Sequence, residues 1–207
     1  MSKNAFEDKF ERCRIASPLS GRVILASNSP RRRELLSMIV PKFEIDLPNH
    51  VDESYPSDLP SAKVPEYLSR KKSEAYSGHL GCGDILITAD TVVIVDGDIL
   101  GKPRDYDDAA NMLRRLSGRT HDVVTGVTLR GHDRTESFSS LTRVSFAELG
   151  DEEIDEYIRF YKPFDKAGAY GIQEWIGAVA ISRIDGSFYN VMGLPVHALY
   201  RRMQAFR

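Results

Sequence analysis

The sequence predicts an α/β fold built on a mixed central sheet flanked by helices. Two observations carry this: β-branched apolar runs interleave with segments of helical spacing, and hairpin-like turns interrupt them without a regular βαβ repeat. At 207 residues, 42% hydrophobic and 28% charged, the chain has the length of one domain and an ordinary globular composition, so it should bury a real core.

The elements follow in order. Residues 1–20 are polar and mixed in charge and read as a mobile N-terminal extension ahead of a domain over 21–207. Val23-Ile24-Leu25-Ala26 is a short strand, Ser27-Asn28-Ser29-Pro30 a tight loop, and Leu35, Leu36 and Ile39 trace the following helix. Ser29 suits its N-cap and Pro30 its first position. Residues 42–47 form a further strand, and 48–60 a polar loop. A weakly amphipathic helix follows over 61–77, carrying Arg70, Lys71 and Lys72. The run Ile85–Val95 is the most apolar and β-branched segment, a central strand expected to break near Ala89-Asp90. Asp96-Gly97 reads as a hairpin turn. Residues 105–116 read as a helix, 121–129 and 135–147 as paired strands, and 151–161 as a helix stopped by Pro163. A strand over 177–184 and a helix over 195–206, with Pro195 as its first residue, complete the chain.

Lys and Arg number 28 against 30 Asp and Glu, so no long-range positive field draws nucleic acid or an acidic membrane, and any anion site must be local. No stretch is apolar and long enough to cross a bilayer. The first twenty residues lack the apolar run of a secretory signal. Cys13 and Cys82 are far apart and without metal-ligand spacing, which suits reduced thiols and a cytoplasmic setting.

Four segments hold residues with chemical potential. Ser27 through Arg33 lies between a strand and a helix start, where free N–H groups and flanking guanidiniums can hold a phosphate. A merely solvated basic turn would place three arginines against the helix dipole. Asp90 interrupts an apolar strand, so it is a metal ligand, a general base, or a carboxylate at a water-exposed strand end. Gly97 through Pro103 is one residue short of a phosphate-binding P-loop and lacks its hydroxyl residue, yet Lys102 remains a point charge suited to a polyphosphate. In Phe164 through Gln173, small residues surround Asp165-Lys166, which reads equally as a structural pair, while Gln173 offers the donor and acceptor needed to read a pyrimidine edge. No dinucleotide, serine-hydrolase or zinc pattern is present.

Taken together, Leu25-Ala26-Ser27-Asn28-Ser29-Pro30-Arg31-Arg32-Arg33-Glu34-Leu35-Leu36, Ala89-Asp90-Thr91-Val92-Val93, Gly101-Lys102-Pro103-Arg104, Asp165-Lys166-Ala167-Gly168-Ala169-Tyr170-Gly171-Ile172-Gln173 and Asn190-Val191-Met192-Gly193-Leu194-Pro195 occur in an order that resembles the Maf family of nucleotide pyrophosphatases. The resemblance implies an elongated, two-lobed architecture similar to inosine triphosphate pyrophosphatases, often homodimeric. It implies hydrolysis of a nucleoside triphosphate to monophosphate and pyrophosphate, with dTTP and UTP as substrates and CTP or modified pyrimidine nucleotides as further candidates. By the same resemblance, Asp90 is the proton acceptor, Glu53 an acidic loop residue at the metal, and Lys72 and Lys102 catalytic lysines. Ser27, Ser29, Arg31 and Arg32 form the phosphate loop, and Arg31, Thr91 and Gln173 mark the dTTP/UTP branch. Asp90 and Glu53 would hold a divalent cation, Mg²⁺ first, with Mn²⁺ or Co²⁺ as alternatives. Arg33 receives no role. A different class of answer is a nucleotide-binding regulator of cell division whose hydrolysis is incidental.

Overall fold

The computed structural model describes residues 21–48 and 51–206; the expectation for residues 1–20 lies outside them. Strands β1 (Val23–Leu25), β2 (Glu44–Ile45), β3 (Ile85–Val95), β4 (Asp98–Leu100), β5 (Thr120–Arg130), β6 (Thr135–Phe146) and β7 (Ile181–Asp185) form one seven-stranded sheet in the order β2-β1-β3-β5-β6-β7, with β4 also on β3. β1 runs parallel to β2 and β3, and all other pairs are antiparallel. The sheet is mixed, as the interrupted alternation of elements predicts.

Helices α1 (Pro30–Ser37), α2 (Val64–Glu74), α3 (Tyr106–Leu116), α4 (Asp151–Tyr161), α5 (Trp175–Val179), α6 (Phe188–Met192) and α7 (Val196–Ala205) cover it. Local chemistry sets several ends. The Ser29 hydroxyl caps α1 by accepting from the Arg32 N–H, Asp105 caps α3 through the Asp108 N–H, and Ser187 caps α6. Pro195 is the residue before α7, not its first.

The expected break in β3 does not occur. β5 pairs with β3 without a bulge from Leu86 opposite Arg130 to Ile94 opposite Asp122, and that ladder carries the strand through Asp90. The segment at 177–184 also departs from expectation, because α5 takes Trp175–Val179 and the strand begins at Ile181. A short run of small and apolar residues does not distinguish helix from strand by periodicity.

Two apolar cores lie on one face of β3. Ile85, Ile87 and Ala89 pack with Leu25, Leu35, Val127 and Leu199, while Val93 and Val95 pack with Leu113, Val123, Ile154 and Tyr157. Thr91, the position between them, pairs with Thr125, and their hydroxyls are 3.0 Å apart. The strand therefore runs through both lobes, and on this face it is polar only at their seam.

Candidate active site

The site is a gap along one edge of β3. β5 occupies the other edge from 86 to 94, so β1, opposite 85–87, and β4, opposite 93–95, must share this one. Between them, residues 88–92 have no strand partner on this edge. The loop after β1, Ser27 to Ser29, arrives from one end. Gly101 and Lys102, continuing β4, arrive from the other. Three motifs far apart in the sequence, at 27–33, 89–93 and 101–104, thus meet at one opening.

On the second face of β3, α2 presses directly on the sheet. Gly126, opposite Asp90, makes room for it: a Cβ there would lie 2.2 Å from the Pro65 carbonyl carbon. The Thr88 hydroxyl donates to the Ser69 carbonyl at 2.6 Å, and the hydroxyls of Ser69 and Thr128 meet at 2.9 Å. These buried bonds fix the rotation of α2. Side chains on a helix lean toward its N-terminus, so Lys72 reaches back and places Nζ 2.6 Å from Asp90 Oδ1 and 2.9 Å from Glu53 Oε1.

Asp90 and Lys72 are mostly buried, with side chains 15% exposed, whereas Glu53 sits on an exposed loop. The Lys72 hydrogen bond holds the Glu53 carboxyl below its ordinary pKa against some desolvation, and the charges of Lys102 and Arg32 add to the effect. Two carboxylates thus converge on one ammonium. Among the described residues no group of three or more His, Cys, Asp or Glu side chains is placed to hold a metal. Magnesium needs no such cage, since one or two carboxylates with water and substrate phosphates complete its shell. Asp90 and Glu53 fit that requirement if Lys72 turns toward substrate.

The arginines divide their work. Arg32 Nε donates to the Gly193 carbonyl at 2.9 Å, and its two terminal nitrogens donate to the Ala89 carbonyl at 2.8 Å and the Thr91 hydroxyl at 2.9 Å. It fills part of the open strand edge with a cation. Burial lowers its pKa, opposed chiefly by Asp90; a guanidinium stays charged regardless. Arg31 instead bonds Asp165 Oδ2 at 2.9 Å. Arg32, not its neighbour, is the arginine that contacts Thr91, because in the first turn of α1 it is Arg32 that faces the sheet.

Ser27 is buried, and its hydroxyl accepts from the Ser29 N–H at 3.3 Å, which shapes the loop. Lys102 is exposed beside the gap. Gln173 is exposed in the turn before α5, with no hydrogen bond joining it to the cluster. Sequence reasoning missed three contributors: the Gly193 carbonyl on Arg32, Lys71, whose Nζ holds Asp52 Oδ2 at 2.8 Å and the Ser54 carbonyl at 2.9 Å, and Glu174, which meets Lys166 at 3.0 Å. Alternation of the lysines was the available signal, since adjacent Lys71 and Lys72 face the adjacent acids Asp52 and Glu53.

Residues 22–206 match the family model described as Maf-like protein. The chain belongs to the Maf family. A Porphyromonas gingivalis relative named dTTP/UTP pyrophosphatase is 57% identical over 187 residues, covering 89% of this chain and 94% of the relative. A Phocaeicola vulgatus protein of the same name is 51% identical, over 88% of this chain and 95% of its own length. Among solved structures, the Ham1 protein of Staphylococcus aureus is similar with a TM-score of 0.54 at 17% identity, covering 90% of this chain and all of that one. The Maf chain thus shares its fold with Ham1. Ser27 through Arg33, Asp90 and Lys102 lie in the segments that carry the family resemblance in the sequence, whereas Glu53 and Lys72 lie outside them.

Proposed function

We propose that this Maf chain is a nucleoside triphosphate pyrophosphatase that hydrolyses dTTP and UTP to the monophosphate and pyrophosphate. The carrying observation is the Glu53–Lys72–Asp90 cluster at an unpaired strand edge, facing Arg32 and Lys102, in a chain 57% identical to a dTTP/UTP pyrophosphatase. A triphosphate brings about four negative charges, which a protein of net charge −2 can hold only where cations are concentrated. The edge gap is such a place.

In the proposed reaction Asp90 orients a water and takes its proton while the water oxygen bonds to the α-phosphorus. The bond from that phosphorus to the bridging oxygen breaks, and pyrophosphate leaves with the bridging oxygen. Lys72, Lys102 and Arg31 offset the charge that develops on the leaving group. Asp90 and Glu53 would hold a divalent cation, whose chemistry is charge neutralisation and polarisation of the phosphates. Ser27 and Ser29 shape the loop at the start of α1 through their hydroxyls, and the free N–H groups there can donate to an anion. No helix among the described residues is long and apolar enough to cross a membrane.

Pyrophosphate release from dTTP, UTP, CTP and dATP, each with Mg²⁺ and with chelator, tests this. Turnover of dTTP and UTP well above dATP, lost with chelator, is expected. Tight nucleotide binding without pyrophosphate release overturns it and favours a nucleotide-binding regulator.

A further inference from the structure

Four side chains of alternating charge run from the phosphate loop into the core. Arg31 bonds Asp165 Oδ2 at 2.9 Å, and Lys166 Nζ bonds Asp165 Oδ1 at 2.8 Å and Glu174 Oε1 at 3.0 Å. The second Glu174 oxygen accepts from the Tyr157 hydroxyl, and the Tyr157 oxygen accepts from the Gly171 N–H at 3.0 Å. Tyr157 itself is 1% exposed, in α4. Lys166 is 8% exposed, and an ammonium so buried is tolerated only when paired.

The chain of bonds encloses the turn that carries Gln173. Glu174 donates its own N–H to the Gly171 carbonyl at 3.0 Å, and its carboxyl packs so closely that a Cβ on Gly171 would lie 2.8 Å from Glu174 Cδ. Both ends of residues 171–174 are therefore held by Glu174, while the Gln173 side chain projects free. At the other end, the Gly168 N–H donates to the Gly101 carbonyl at 3.0 Å, beside Lys102. Gly168, at φ 69°, and Ala169, at φ 59°, both sit in the left-handed region, which Ala adopts only under surrounding constraint. The turn is rigid, wired to both phosphate-side loops, and leaves one amide exposed.

We propose that Glu174 and Lys166 are positioning residues that set where Gln173 stands relative to the phosphate-binding groups, and thereby set base selectivity. This rests on the dTTP/UTP reading above. Glu174→Gln removes one inner charge, so Lys166 falls back on Asp165 and competes with Arg31 for it. Lys166→Met leaves two carboxylates facing each other. The double variant restores the charge balance.

The test is kcat and KM of the full chain for dTTP, UTP and dATP, with thermal midpoints, for wild type, E174Q, K166M, the double variant and Y157F. Expected is a fall of about fivefold to tenfold in the dTTP-to-dATP ratio of kcat/KM for each charge variant, with the double variant losing less than the product. Tyr157→Phe, which removes only the hydroxyl behind Glu174, shifts the ratio in the same direction by less and keeps the fold. Folded E174Q and Y157F with a wild-type ratio overturn the proposal, even if their midpoints fall, because a merely structural pair moves stability alone. A wild type that releases no pyrophosphate from dTTP or UTP sinks the activity reading, and this proposal with it. An active wild type with an unmoved ratio in the variants sinks this proposal alone.

Discussion

Lys72 Nζ is 2.6 Å from Asp90 Oδ1, across the face of β3 that α2 covers. The pair explains how a carboxylate is tolerated inside an apolar strand: it is bonded to a cation that the helix supplies, and both are held by the Thr88–Ser69 contact beneath them. Asp90→Asn keeps an oxygen for Lys72 and changes little volume. Stability should fall by about 1–2 kcal/mol, a few degrees in thermal midpoint, while turnover drops at least about a hundredfold because the water loses its proton acceptor. Steady-state kinetics beside a melting curve check this, and near-wild-type turnover sinks the base or metal assignment.

Lys71 does not touch the cluster, yet its bonds to Asp52 and Ser54 tether the loop on which Glu53 sits. An exposed ion pair contributes under about 1 kcal/mol to stability. Lys71→Met should therefore melt like wild type but lose several-fold in kcat/KM, and Lys71→Arg should recover most of it. High salt acting on wild type should mimic part of the loss. Unchanged kinetics in the Met variant would show that Glu53 finds its place without the tether.

Much of this was readable from the chain because the strongest signals are local. The Ser29 cap, the acid-rich start of α3 and the pairing of the β-rich runs of β5 and β6 across the Gly131-His132-Asp133 turn come from neighbouring residues. What was not readable depends on pairing partners far away. The polar step at Asp90 looks like a strand break, whereas the break lies in the opposite edge, where β1 ends and β4 has not begun. Likewise Arg31 and Arg32 are indistinguishable by type; only the facing of α1 sends one to Thr91 and the other to Asp165. Lys166 looked like half of a local pair, and so it is, but the second partner is eight residues on, brought back by the strained turn at Gly168 and Ala169.

His121 gives the fold a pH dependence separate from catalysis. It is 2% exposed, its Nε2 meets the Tyr170 hydroxyl at 2.8 Å, and its ring packs edge-on against Phe146 and Tyr170. Nδ1 is buried without a partner. Burial lowers its pKa from 6.5 to about 4, so the unfolded chain takes up a proton that the folded chain resists. The stabilisation is complete above pH 6.5 and is lost as pH falls toward 4, by about 3 kcal/mol across that interval. His121→Phe fits between the same rings but strands the Tyr170 hydroxyl, at about 1–2 kcal/mol. Denaturant titrations should find the variant weaker at pH 7.5 and equal or stronger at pH 4.5. Parallel pH profiles for the two proteins would exclude His121 as the source.

Gln173 stands apart from every bond of the cluster, which makes its role separable. Its side chain is exposed and supports no packing, so Gln173→Ala should leave the thermal midpoint unchanged. The phosphate loop, Asp90 and Lys72 do not touch it, so kcat for dTTP should change little. A glutamine amide presents a donor and an acceptor together, and an alanine presents neither. A base edge paired with that amide would therefore lose discrimination by about tenfold, the equivalent of one or two hydrogen bonds. Competition between dTTP and dATP in one reaction reads this ratio directly. A ratio that falls while single-substrate kcat holds places base reading at Gln173; a ratio that stays put removes it from recognition and shifts selectivity to Arg32 and Thr91 at the lobe seam.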